Sequence, residues 1–153
     1  MPLRQTLLLV EQGSREEPLA VKAVLGCGVP CEVEVIRHDG HSISDLLAPD
    51  GISPQLIILE ISGPAGRAIP ILRELRSHDR TRHMPVVMLC PEQPQAQIRE
   101  CLAEGADHYM EKSTEPATYI QHVSLIARSW LALDKRPEQY LPTRPPEAFD
   151  GEN

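Results

Sequence analysis

The stretch that decides the fold is Gln55–Ser62, QLIILEIS: an unbroken apolar run closing on a single carboxylate, Glu60, just before Gly63-Pro64. A run with no polar alternation marks a strand covered on both faces, the condition of a central strand in a parallel sheet. A carboxylate at the end of such a strand is costly to desolvate unless it meets partners. The sequence offers some at matching places. Glu11 and Gln12 follow the first apolar run, Cys90 closes another, and Lys112 follows the last.

Outward from this run, five strands are expected at Thr6–Val10, Glu32–Ile36, Leu56–Leu59, Val86–Leu89 and His108–Met110. The second alternates Val33 and Val35 with Glu32 and Glu34 and so suits a sheet edge. Helices are expected at Glu16–Leu25, Ile43–Ala48, Ala68–Ser77, Pro94–Glu104 and Glu115–Leu133. Glu16, Glu17 and Pro18 suit a first helical turn, and Gly105 a helix stop. The last helix carries Tyr119, Ile120, Val123, Ala127, Trp130 and Leu131 as a stripe. Strands alternating with helices predict an α/β domain on a parallel sheet, with its ligand crevice at the carboxyl ends of the strands. Glu11, Gln12, Glu60, Cys90 and Lys112 fall there.

The 153 residues suit one domain over 3–133, followed by a proline-rich extension over 134–153 that is expected to be extended or disordered; four prolines lie between 137 and 146. Aromatic residues are only 3% of the chain, so the core is aliphatic. A net charge of −7 argues against general nucleic-acid binding. No apolar stretch reaches membrane-spanning length and the N-terminal apolar run is too short for a signal peptide, so a cytoplasmic protein without membrane contact is expected. Cys27, Cys31, Cys90 and Cys101 read as buried thiols, and His38 and His41 as surface residues, rather than metal ligands.

In order and spacing, LLLVE (7–11), PQLIILEISGP (54–64), ILRELRSHDRTRHMPVVML (71–89) and EGADHYMEK (104–112) resemble the receiver domains of two-component response regulators. SWLALDKRP (129–137) further resembles the small single-domain regulators of bacterial phytochromes. The resemblance implies a doubly wound, flavodoxin-like fold with five parallel strands in the order 2-1-3-4-5 and helices on both faces. By position it puts Glu11 and Gln12 in the acidic pair that helps hold Mg²⁺, and Glu60 in the place of the phosphoaccepting aspartate. Ser62 stands where a backbone carbonyl reaches the metal, Cys90 where a hydroxyl residue follows the phosphoryl group, Tyr109 at the aromatic that reports the state, and Lys112 at the lysine.

Four departures from the pattern weaken that chemistry. Glu60 is longer than aspartate by about 1.5 Å, and an error of ~1 Å in positioning costs in-line transfer on the order of 100-fold. Gln12 is neutral where Mg²⁺ wants a carboxylate. Cys90 offers only a weak S–H donor, and Ser113 replaces a proline whose preceding peptide bond is cis. The reading is a receiver-like, non-enzymatic signalling module that works by protein–protein contact, with Mg²⁺ affinity at Glu11, Gln12 and Glu60 weakened or lost. Expected partners are a sensor histidine kinase, a phosphotransfer protein or a second copy, the last through Trp130 and Leu131 unless both still pack on the sheet. Two states stay open at this point: Glu60 imitating the activated charge, or Glu60 locked by Lys112. Residual phosphotransfer is an alternative. A flavin-type cofactor protein or enzyme is another, disfavoured because Glu11, Glu16 and Glu17 flank Gly13-Ser14 and would repel phosphate.

Overall fold

The structure, a computed structural model, describes residues 5–11, 17–37 and 53–131. Five strands, β1 (Gln5–Glu11), β2 (Cys31–Arg37), β3 (Leu56–Glu60), β4 (Val86–Cys90) and β5 (His108–Glu111), pair in parallel in the order β2-β1-β3-β4-β5. This is the expected order. Each strand runs slightly past the apolar run that announced it, so that Glu11, Glu60 and Cys90 are themselves the last ladder residues rather than loop residues.

The described helices are α1 (Glu17–Leu25), α2 (Ile69–Arg76, entered through a 3-10 turn at Ala65–Ala68), α3 (Gln95–Ala103) and α4 (Pro116–Leu131). Pro70 sits in the first turn of α2, where its missing N–H costs nothing. The helix expected at 43–48, the Asp39-Gly40 turn between His38 and His41, Gly13-Ser14, Gln12 and residues 132–153 lie outside the described residues.

Strand alternation sorts the core into two layers. Leu8, Val10, Ile57, Leu59, Val86, Met88, Cys90 and Tyr109 pack with α2 and α3. On the other face Leu7, Leu9, Leu56, Ile58, Val87 and Leu89 pack with Ala20, Ala23 and Val24 of α1 and Tyr119, Val123, Ile126, Ala127 and Leu131 of α4. The expected self-association surface is corrected here. Leu131 is 1% exposed, and Trp130 packs partly buried against the same layer, because the last turn of α4 still lies over the sheet. The exposed large apolar side chains among the described residues are instead Leu25 and Leu125. No described helix is long and apolar enough to cross a membrane. All four cysteines are buried and outside any disulfide.

Candidate functional site

At the carboxyl edge of the sheet, β1 and β3 end in register, Glu11 beside Glu60, with exposures of 2% and 0%. Both share strand parity with the residues that face α1 and α4, so Glu60 turns toward α4. There its Oε2 accepts a hydrogen bond of 2.8 Å from the Tyr119 hydroxyl, 59 residues away in sequence. The same oxygen lies 3.6 Å from Lys112 Nζ, whose side chain is 11% exposed. Hydrogen bonding and a cation thus replace the water stripped from this carboxylate.

Lys112 is placed by the main chain: its N–H donates to Cys90 O at 2.7 Å, extending the β4–β5 pairing one step past β5. Ser113 follows without a cis peptide bond. Instead Ser113 Oγ accepts the Glu115 N–H at 3.0 Å, a cap-like turn just ahead of the helix. The serine that replaces proline here therefore helps start the helix that carries Tyr119.

Cys90 and Tyr109 lie on the opposite face of the sheet from Glu60. Cys90 is fully buried, and burial pushes its thiol up to about 12, far from thiolate chemistry near neutrality. Tyr109 is 6% exposed; its hydroxyl donates to Pro91 O at 3.0 Å, and burial raises its own ionisation. Gln93 joins this group to the loop after β3. Its Nε2 donates to Pro91 O at 2.8 Å and Gly63 O at 3.2 Å, while its Oε1 accepts the Ala65 N–H at 2.9 Å. Ser62 is exposed at the start of that loop.

The residues singled out by sequence thus form two groups. Glu11, Glu60 and Lys112 meet on one side; Cys90 and Tyr109 meet on the other, tied by Gln93 to the loop following Ser62. The resemblance implies Mg²⁺, but the described residues do not fit it. Glu60 Oε2 already holds a hydroxyl and faces an ammonium, and among the described residues no group of three or more His, Cys, Asp or Glu is arranged to hold an ion. Tyr119 is the member that sequence reasoning left in the core stripe. A buried tyrosine hydroxyl needs a polar partner, and on that apolar face Glu60 is one of the few acceptors.

No protein-family model matches the sequence. Among solved structures, the phosphorylated cyanobacterial phytochrome response regulator RcpA superposes with a TM-score of 0.75 at 24% identity, covering 86% of this chain and 96% of that one. The bacteriophytochrome response regulator RtBRR gives 0.62 at 28% identity, covering 82% and 78%. The chain has the receiver fold of response regulators. Curated relatives agree with this. The two-component response regulator ARR15 of Arabidopsis thaliana is 27% identical over 89 residues, 58% of this chain and 43% of its own length. The phosphate regulon regulator PhoB of Escherichia coli is 31% identical over 75 residues, 49% and 33%. This receiver therefore matches less than half the length of either curated relative. At the carboxyl edge of this fold the chain carries the buried Tyr119–Glu60–Lys112 cluster.

Proposed function

We propose that this chain is a two-component signalling module that works through protein–protein contact and is not switched by conventional aspartyl phosphorylation. One observation carries the reading: the side chain at the acceptor position is a fully buried glutamate whose Oε2 is hydrogen-bonded to Tyr119 and paired with Lys112. An attacking carboxylate oxygen must be exposed and in line with the phosphoryl donor. This one is turned into the layer between sheet and α4. Of the two states left open by the sequence, the geometry favours the locked one, since Glu60 spends its charge internally. Glu11, Gln12 and Ser62 then belong to a relic metal pocket, and Cys90 and Tyr109 to a coupling path held in one arrangement.

The partners proposed are a sensor histidine kinase or phosphotransfer protein, and a second copy of the chain; the likeness to phytochrome response regulators supports a photoreceptor kinase as the first. No nucleic-acid or membrane contact is proposed, and the location is cytoplasmic. A non-enzymatic role is supported by the Cys90 thiol, which burial holds far above the range of a nucleophile.

The test is exposure to acetyl phosphate with Mg²⁺, read by intact mass and by amide spectra. The native chain should gain no phosphoryl group, while Glu60→Asp combined with Tyr119→Phe, which shortens and releases the carboxylate, provides the comparison. An acyl phosphate on native Glu60 would overturn the proposal in favour of residual phosphotransfer.

A further inference from the structure

The pole opposite this site carries a feature that the receiver chemistry does not use. In a chain of net charge −7, residues 76–83 read RSHDRTRH: three arginines and two histidines against one aspartate. Arg76 is consumed internally. Its Nη1 donates to Arg82 O at 3.0 Å and Met84 O at 2.7 Å, and its Nη2 to Gly105 O at 2.7 Å and Asp107 Oδ2 at 3.0 Å. Asp107 Oδ2 in turn accepts the Val86 N–H at 2.8 Å. This clamp sets the α2–β4 loop as a rim and leaves Arg82 and His83 at the surface. Arg82, 53% exposed, has only a loose 3.5 Å contact with Asp79. Beside the rim opens a cleft of about 480 Å³ lined in part by Arg82, His83, Met84, Pro85, Leu102 and Trp130. That volume suits one large side chain and its flanking backbone.

An occupant matched to this cleft brings an aromatic ring for the Trp130 and Leu102 wall and negative charge for Arg82 and His83. The chain itself contains such a segment. Residues 147–152, EAFDGE, hold the only phenylalanine, Phe149, among three acids and no base. Glu147 follows Leu131 by sixteen residues, a length of chain that reaches about 22 Å in the root-mean-square even for a random coil. Trp130 lines the cleft one residue before the last described residue, so a segment joined through Leu131 starts beside it. A span of this kind gives an effective concentration near the millimolar range, enough to populate a weak contact.

We propose that residues 147–152 of this chain dock in the cleft, with Phe149 against Trp130 and Glu147 and Asp150 facing Arg82 and His83. The docked segment is then a self-ligand at the pole away from Glu60. It covers a basic, aromatic surface that acidic partners would otherwise reach. This stands independently of how the Glu60 site works.

Trp130 is the only tryptophan, so its emission reports the cleft directly. In the full chain, Phe149→Ala and, separately, Arg82→Glu should each raise acrylamide quenching of Trp130 by about twofold as the ring loses its aromatic cover. Far-UV circular dichroism checks that the variants remain folded. In the native chain roughly 0.5 M salt should move quenching the same way. Unchanged quenching in the folded variants would overturn the proposal. Protection that vanishes on dilution, together with a fall in mass by light scattering, would also overturn it, by assigning the cleft to a second copy's segment.

Discussion

Replacing Tyr119 with phenylalanine removes one oxygen and leaves the ring in place, so it isolates the bond to Glu60. The acceptor is a carboxylate with no exposure, held at 2.8 Å. Bonds to charged groups are worth about 1.5–3 kcal/mol, against about 0.5–1.5 kcal/mol for neutral ones. The first range applies, because water cannot reach Glu60 to take the hydroxyl's place and Lys112, at 3.6 Å, is too distant for a strong replacement bond. We expect Tyr119→Phe to cost about 2 kcal/mol, a fall of roughly 8 °C in Tm for a domain of this size. Tyr109→Phe is the internal control: it loses a neutral bond to Pro91 O and should cost about half as much. Urea unfolding followed by far-UV circular dichroism gives both values, with an unchanged m confirming that the denatured state is the same. A double-mutant cycle with Glu60→Gln should show the hydroxyl and carboxylate coupled. If Tyr119→Phe costs less than about 0.5 kcal/mol, or no more than Tyr109→Phe, Glu60 is not latched to α4 and the locked reading fails.

Acid should act through His108, whose imidazole burial lowers to about 4 from its ordinary 6.5. The folded chain refuses a proton that the unfolded chain accepts. Stability from this group is therefore complete above about pH 6.5, falls as pH drops, and levels off below about 4. The ceiling is about 3 kcal/mol, and partial solvent contact should bring it to about 1–2 kcal/mol; His108→Gln should flatten that part of the profile, and an imidazole titrating near 6.5 by NMR would refute the assignment. At the other pole, Arg76→Lys should cost about 2–4 kcal/mol, since an ammonium cannot serve the carbonyls of Arg82, Met84 and Gly105 together; an unchanged urea midpoint would show the clamp to be idle. Gly105→Ala should destabilise through the same place. Gly105 has φ +122°, and an added Cβ would come within 2.7 Å of Arg76 Cγ.

The five strands were legible because buried parallel strands read as unbroken apolar runs, and the alternating 32–35 stretch read as an edge; their order and the helices on both faces came from the resemblance to receiver domains. The gathering of Glu11, Glu60 and Lys112 was legible too, as a property of strand ends. What stayed hidden was the division of the site. Glu60 shares parity with Leu56 and Ile58, and Cys90 with Val86 and Met88, but parity within one strand does not say which face it shares with its neighbour. That depends on register across the ladder, where Glu60 pairs with Leu89 rather than Cys90. Tyr119 was hidden for a related reason. On a helical stripe a tyrosine looks like any other large core residue, and only the fold brings an acceptor 59 residues away to its hydroxyl. The fate of Trp130 and Leu131 turned on how far the sheet extends beneath α4, which helical periodicity does not encode.

Gln93 has a mechanical consequence. Its one amide grips Gly63 and Ala65 on the loop after β3 and Pro91 on the loop after β4, and Tyr109 of β5 ends on that same Pro91 carbonyl. Two loops thus hang from a single planar group, and β5 joins them through the Pro91 carbonyl, so the roof over the carboxyl edge is tied into one plate. A stimulus arriving at either loop would be spread to the other as small shared strain, so the surface above this site keeps one shape.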